Sequence, residues 1–249
     1  MRRALAPFVG LVVFFALWQG LVALFDVQPF VMPGPWRIVR TLAHDPGFFW
    51  REGLVTAREA GAGLLVGLAL ALAAAVPMAR SRTLERAVQP VALLIQVIPL
   101  VCYAPAFVIW VGVGFRPIVA VSALICFVPL LYNLVAGLRA ADPDTRDLLR
   151  SAGASRREIL RVVELPSALP HLFAGLRTAV GLALVGAVIG EWFALVAHGL
   201  GVWIRKAQNT GGATLVWGCA FALGAIGALS LAALAALERL LVPNRRVRA

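Results

Sequence analysis

Lysine is almost missing from this chain. It has 249 residues, 23 of them Lys or Arg, yet Lys206 is the single lysine. A phosphate-binding loop of the form G-x-x-x-x-G-K-[ST] needs a lysine behind its second glycine. Lys206 stands between Arg205 and Ala207, so the chain has no such loop and any ATP is handled in trans. Charge as a whole is scarce: 14% of residues are charged and 61% hydrophobic, with a mean hydropathy of +0.88. Soluble domains are roughly a quarter charged, which excludes an ordinary cytosolic enzyme, a disordered chain and a secreted disulfide scaffold. The three cysteines, Cys102, Cys126 and Cys219, lie in apolar stretches with no CxxC or Cys/His spacing. They read as small buried residues, and no metal site is expected. Acidic residues number only 12, leaving a net charge of +11. Such an excess suits nucleic acid, but here the arginines lie between long apolar runs and not on one wettable face. The partner they indicate is a membrane, not nucleic acid.

What is abundant is uninterrupted hydrophobicity. Runs free of Asp, Glu, Lys and Arg cover 4–25, 60–79, 87–115, 117–138, 178–190 and 207–237. A helix needs roughly 20 residues to cross about 30 Å of hydrocarbon. The short fifth run is interrupted by Glu191 but continues apolar to Val202, and reads as one helix from about Leu172 to Val196. The expected fold is therefore all-α, a polytopic membrane protein with six transmembrane helices. It is read as one domain over 1–249, with its core at about 54–241 and one long loop at 139–171.

An even number of crossings puts both termini on one side. That side holds Arg2, Arg3, Arg80, Arg82, Arg86, Arg139, Arg146, Arg150, Arg156, Arg157, Arg161, Arg245, Arg246 and Arg248. The other holds Arg37, Arg40, Arg51, Arg58, Arg116, Arg205 and Lys206. The positive-inside rule then places both ends in the cytoplasm. Arg2-Arg3 before an apolar run imitates a signal peptide, but the run is long and Leu24-Phe25-Asp26 is no small-residue cleavage site, so a retained first helix is expected. Across the first outer segment, 26–58, Ile38, Val39 and Leu42 share one helical face, which predicts a short interfacial helix beginning at Trp36.

The loop at 139–171 has explicit local chemistry. Asp142-Pro143 is a helix start, with the proline where its missing N–H costs nothing. Gly153 suits a left-handed stop near Ala152. Ser155 and Glu158 form a capping box for a second short helix, which Pro166 and Pro170 are expected to end. Leu148, Leu149 and Ala152 give the first helix an apolar patch between Arg146 and Arg150, a pattern suited to a docking partner. Ile159, Val162 and Val163 give the second a patch expected to pack on the chain's own helix ends.

This loop resembles the EAA loop of permease subunits of ATP-binding cassette importers, whose pattern is E-A-A-x3-G-x9-I-x-L-P. The chain reads Asp147-Leu148-Leu149, Gly153 and Val163-Glu164-Leu165-Pro166 at the same spacings, with Asp for Glu, Leu for both alanines and Val for Ile. Gln96-Val97-Ile98-Pro99, Phe127-Val128-Pro129 with Asn133, Gly137-Leu138-Arg139, Ala174-Gly175-Leu176-Arg177, Gly190-Glu191-Trp192 and Gly199-Leu200-Gly201 resemble the nitrate, sulfonate and taurine branch, with thiamine-precursor permeases nearby. The likeness runs from about Pro29 to Leu241. It implies a permease of the inner membrane, paired with a second copy, two ATPase subunits that hold ATP and Mg, and an extracytoplasmic binding protein. The chain itself then binds no cofactor. Asp147, Leu148, Leu149, Arg150, Ala152, Gly153, Ala154, Leu165 and Pro166 would couple to the ATPase. The cargo implied is a small polar or anionic solute, or a thiamine pyrimidine precursor.

Polar groups inside a membrane are costly and mark candidate pathway residues. Gln96, Pro99, Tyr103, Asn133 and Glu191 qualify. Glu191 falls near the outer boundary with His198 beyond it, either as a gate or docking contact or as a solvated carboxylate. Gln96 and Asn133 alternatively bond between helices, and Gly63 and Gly67, at GxxxG spacing, permit close helix contact. An intramembrane enzyme is the reading of another class. Ser122 and Ser230 lie in apolar runs, but there is no G-x-S-x-G and His198 sits near a helix end.

Overall fold

Proline and glycine decide where these apolar helices begin, bend and touch. The computed structural model describes the backbone of residues 2–242 and the side chains of 9–242. Among the described residues every regular element is a helix. In order they are α1 (Arg2–Leu24), α2 (Pro35–His44), α3 (Pro46–Arg80), α4 (Arg82–Val97), α5 (Leu100–Val111), α6 (Phe115–Arg139), α7 (Pro143–Ser151), α8 (Arg156–Ile159), a π-helical turn (Leu160–Glu164), α9 (Leu165–Phe193), α10 (Leu200–Asn209) and α11 (Ala213–Leu241). Among the described residues four stretches are long and apolar enough to cross a membrane: α3, α6, the continuous run Arg156–Phe193, and α11. The count is five if the bent pair α4 and α5 is one span. The chain is an all-helical, multi-pass membrane protein. Of the basic residues assigned to the cytoplasmic side, the side chains of Arg2 and Arg3 and the whole of Arg245, Arg246 and Arg248 lie outside the described residues.

Three expectations about boundaries are corrected. The apolar run 87–115 is not one straight span: it bends by 102° between α4 and α5. Pro99 has no N–H to continue the ladder and its ring clashes with the preceding turn. It also forces the residue before it out of helical geometry, and Ile98 is extended at φ −70°, ψ 125°. Segment 26–58 contains a short helix where one was expected near Trp36, as α2, but residues 46–58 form the first turns of α3. Charge at Arg51, Glu52, Arg58 and Glu59 ended the apolar run in the sequence without ending the helix. Finally, Pro166 and Pro170 do not terminate the second loop helix. A π-turn takes up the register, with Leu165 N–H donating to Leu160 C=O, and the chain stays helical to Phe193.

The chain divides into two compact units. The first comprises Met1–Val55 and Ala197–Ala225. In it the buried ring of Trp18 lies 5.1 Å from Trp217 and 6.1 Å from Phe221. Gln19 Oε1 accepts from Trp36 N–H at 3.3 Å, which ties α1 to the start of α2, and Ile38 is fully buried. Arg40 lies over the Trp36 ring at 5.1 Å.

The second unit comprises Thr56–Val196 and Ile226–Ala249. Its core is α6, whose Ile118, Cys126, Leu130, Leu131, Leu134 and Leu138 pack among Ala71, Ala75 and Met78 of α3 and Ala168, Ala179, Ala183 and Ala187 of α9. A Cβ at Gly63 would sit 2.1 Å from Ser122 Cβ, and one at Gly67 would sit 2.8 Å from Ala123 O. From the other side, a Cβ at Gly186 would meet Ser122 Cα at 2.6 Å and one at Gly190 would meet Ile118 Cα at 2.8 Å. The GxxxG spacing in α3 is therefore a contact face. With water absent from hydrocarbon, such backbone-close packing replaces the hydrophobic effect as the source of helix association. The contact is fastened by Ser122 Oγ donating to Ala183 O at 2.7 Å, and by Cys126 Sγ donating to Ala179 O at 3.3 Å.

Gly61, two residues earlier, has open space where a Cβ would go. Gly63→Val is expected to lower the stability of the detergent-solubilised chain by about 1–3 kcal/mol or more, while Gly61→Ala leaves it unchanged or slightly raised. Thermal unfolding midpoints of the two variants check this, and equal midpoints would contradict the packing.

Candidate functional site

The loop between α6 and α9 folds as its sequence chemistry requires. Asp142 accepts at its carboxylate from the N–H of Asp144 at 3.4 Å and of Thr145 at 3.1 Å, with Pro143 as the first helical residue. Gly153 stops α7 at φ +81°, a conformation that strains any residue with a Cβ. Ala154 N–H then donates back to Leu149 O at 2.9 Å. Ser155 and Glu158 form the expected capping box: Glu158 N–H donates to Ser155 Oγ at 3.3 Å, and Ser155 N–H to Glu158 Oε2 at 2.6 Å.

On this frame Leu148 is 70% exposed, an apolar side chain held on a short rigid helix. Asp147, Arg150, Ala152 and Gly153 are also exposed, while Leu149 and Ala154 are half-buried. Asp147 pairs with Arg150 at 3.0 Å. Leu165 and Pro166 are exposed at the start of α9. The second patch divides: Ile159 is buried, Val163 half-buried and Val162 exposed.

Beneath α7 a charged lattice ties the loop to the helix ends. Arg139 pairs with Glu85 at 2.8 Å and donates to the carbonyls of Met78 at 2.9 Å and Ala79 at 3.3 Å. Glu164 receives Arg80 at 3.6 Å and Arg146 at 3.5 Å. Arg146 also donates to Leu138 O. A displacement of α7 is therefore resisted by its contacts to α6 and the π-turn, both of which are tied in turn to the end of α3.

The bend at Pro99 opens a cavity of about 380 Å³ lined by Gln96, Pro99 and Tyr103 with Ile125, Val128, Pro129 and Thr178 among its walls. No charged side chain lines it. Tyr103 OH donates to Ile95 O across the bend at 3.4 Å. The structure thus brings Gln96, Pro99 and Tyr103 together. Asn133 is not in that lining. Its side-chain amide donates to Pro129 O, one turn back on its own helix, at 2.8 Å, so this bond is not the interhelical one that the residue type suggested.

Glu191 is 3% exposed, which removes the solvated-carboxylate reading. Its Oε1 accepts from Thr56 Oγ1 at 2.6 Å, and Glu59, 4% exposed, lies beside it. In the first unit, Glu52 is fully buried and accepts from Gly199 N–H at 2.8 Å and Arg51 Nε at 3.1 Å, with His198 Nδ1 at 3.2 Å. Glu52, Thr56 and Glu59 escaped the sequence reading. Their i, i+4, i+7 spacing, which puts three polar residues on one face of α3, was the signal. Ser122, considered as a nucleophile, is buried and spends its hydroxyl on a carbonyl.

Residues 63–247 match the family of binding-protein-dependent transport system inner membrane components. The chain belongs to that family. It is 32% identical over 245 residues to the formylaminopyrimidine transport permease protein ThiX of Halalkalibacterium halodurans, covering 98% of this chain and 97% of that one. It is 38% identical over 237 residues to the riboflavin transport system permease protein RibX of Chloroflexus aurantiacus, covering 94% and 88%. The taurine transport system permease protein TauC of Escherichia coli is 26% identical over 240 residues, covering 94% and 87%. Among solved structures, an inward-facing MetNI methionine ABC transporter shares the fold at TM-score 0.59 and 19% identity, covering 84% of this chain and 98% of that one. The family member is an ABC importer permease and not an enzyme, and ATP hydrolysis falls to separate ATPase subunits.

The loop caps respond to acid. Hydrogen bonds from the Thr145 hydroxyl and then its N–H hold the Asp142 carboxyl below its ordinary value, and the Ser155 side chain and then its N–H do the same for Glu158. A depressed folded-state pKa adds stability above the ordinary carboxylate value of about 4, and loses it as pH falls through the folded value. Amide exchange across residues 143–164 is expected to be slow and level from pH 7 to 5, then to accelerate below about pH 4 relative to its intrinsic rate. Unchanged protection at pH 3 would contradict the caps.

Proposed function

We propose that this permease moves an uncharged, planar heteroaromatic compound of the aminopyrimidine or flavin kind. The observation that carries this reading is the cavity at the Pro99 bend. Its walls are apolar, and its polar groups, from Gln96, Tyr103 and Thr178, are neutral. Ring faces suit the apolar walls, and an amide and two hydroxyls suit the polar edge of a heterocycle. An anion would demand guanidinium or ammonium groups in such a low-dielectric site. Two relatives above 30% identity are named for a pyrimidine and a flavin, and this supports the same choice over sulfonate, taurine or nitrate.

The working unit is proposed as a homodimer with two ATPase subunits that bind ATP and Mg, loaded by an extracytoplasmic binding protein. Six crossings are proposed, with α1 as the first and the bent pair α4–α5 as the third, and both termini in the cytoplasm. Asp147, Leu148, Leu149, Arg150, Ala152, Gly153 and Ala154 form the coupling surface, with Leu165 and Pro166 at its base. Closure of the ATPases on ATP would push α7, and the bundle would answer as a rigid body. Gln96, Pro99 and Tyr103 belong to the pathway, with Asn133 and Glu191 shaping the helices around it.

Two measurements check this. Co-purification in detergent should recover an ATPase with the wild-type chain and lose it with Leu148→Arg or Gly153→Pro, both still inserted in the membrane. Retention by both variants would remove α7 from the docking role. In proteoliposomes holding the whole transporter, uptake of a labelled formylaminopyrimidine or riboflavin should fall about tenfold in Gln96→Ala, the worth of one good buried hydrogen bond. Uptake of taurine with neither heterocycle would overturn the substrate class.

A further inference from the structure

Behind α7 lies a second cavity, of about 570 Å³, with a quite different wall. Arg80, Arg146, Arg150 and Arg156 line it, and Glu164 is the one carboxylate among them. Glu164 is shared between Arg80 and Arg146 at the long distances of 3.6 and 3.5 Å. Arg146 Nε is buried, and its only carboxylate neighbour among the described residues is Glu164 Oε1 at 3.5 Å, with no hydrogen bond made. Arg150 has Asp147 at 3.0 Å. Arg156 makes no ion pair among the described residues, and its backbone carbonyl accepts from Arg80 at 3.4 Å, so two guanidinium-bearing residues are held close together. Even with Asp147 included, four guanidiniums face two carboxylates. Ala79, Leu138, Ala154 and Ile159 complete the wall with apolar groups, which lower the local dielectric and sharpen the positive field.

We propose that this cavity is an anion site for a phosphoryl group, filled by the phosphodiester head of an anionic lipid or by free phosphate. Guanidinium is the side chain that pairs with phosphate through two parallel N–H donors. The cavity's place favours a lipid source. Arg80 ends α3 and Leu138 is next to the end of α6, both membrane-spanning helices, so the arginines stand at head-group depth. Basic pockets between transmembrane helix ends are where anionic head groups dock. An anion there would neutralise the excess charge beneath α7 and satisfy Arg146 Nε. It would thereby stiffen the seat of α7 against the helix ends. The inference rests on the importer reading only for which membrane face this is.

The test uses the full chain, without ATPase, in a neutral detergent. Its unfolding midpoint is followed while phosphatidylglycerol, phosphatidylcholine or inorganic phosphate is added. Phosphatidylglycerol should raise the midpoint saturably and phosphatidylcholine should not. Arg156→Gln should weaken the effect about tenfold, the loss of one charge-assisted pair, while Arg156→Lys keeps most of it. Because Arg80→Gln also breaks a contact to Glu164, Arg156→Gln is the deciding variant. A midpoint raised by phosphate alone assigns the site to a free anion and upholds it. No shift with either, or the same shift in Arg156→Gln, overturns the site. So does a result in which Arg156→Gln leaves the lipid shift unchanged and, in a separate co-purification, loses the ATPase, because the arginines would then belong to docking. Failure of the wild type to hold any ATPase speaks against the importer assembly and leaves the lipid measurement intact.

Discussion

Helix α6 runs past α3 and α9 at separations that only glycine allows. Any side chain at Gly63, Gly67, Gly186 or Gly190 would enter the backbone or the Cβ atoms of Ile118, Ser122 or Ala123. Everything else in the second unit is arranged around that contact. It brings Ser122 Oγ and Cys126 Sγ within reach of carbonyls on α9, and these bonds fix the rotation of α6 about its own axis. The rotation in turn decides which residues of α6 face the bend at Pro99, and so places Ile125, Val128 and Pro129 in the cavity wall.

The same packing gives the loop its rigidity. α7 has only nine residues, too short to persist alone in water. It is held by an Asp142 cap at one end, a Gly153 turn at the other, and the shared Glu164 beneath. The chain then re-enters the membrane without a break, because the π-turn lets Pro166 follow α8 within one continuous helical path. A push on Leu148 meets a short stiff path into α9, and α9 is locked to α6. In the proposed assembly this is how a small movement at the membrane surface becomes a movement of the bundle and not a local flexing of the loop.

Much of this was readable from residue chemistry. The caps at Asp142 and Ser155, the stop at Gly153 and the GxxxG face of α3 follow from local rules that tertiary context leaves alone. The short helix α2 was equally legible from the spacing of Ile38, Val39 and Leu42. Other features depended on what the chain packs against. Pro99 breaks its helix by 102° while Pro90, Pro105, Pro129 and Pro170 sit inside theirs, and no local rule separates them. The N-terminal extension of α3 was hidden because Glu52 and Glu59 read as the end of a span. They are instead buried, Glu52 by the Gly199 N–H and Glu59 beside Glu191. The placement of Asn133 was half visible: its polarity marked it, but the acceptor on its own helix did not show in the spacing.

The central claim is that α7 and the α6–α9 pair move as one body, and a distance measurement tests it most directly. Spin labels at Leu148→Cys and Gly181→Cys, on exposed sites of α7 and α9, would be placed in one protomer whose three native cysteines are replaced by alanine, beside an unlabelled, cysteine-free copy in the proposed dimer. Pulsed electron resonance should return one narrow distance, the same for the permease alone and for the permease bound to its ATPase with ATP. A broad distribution, or a distance that shifts when ATP is added, would show the loop flexing independently of the bundle and contradict the account.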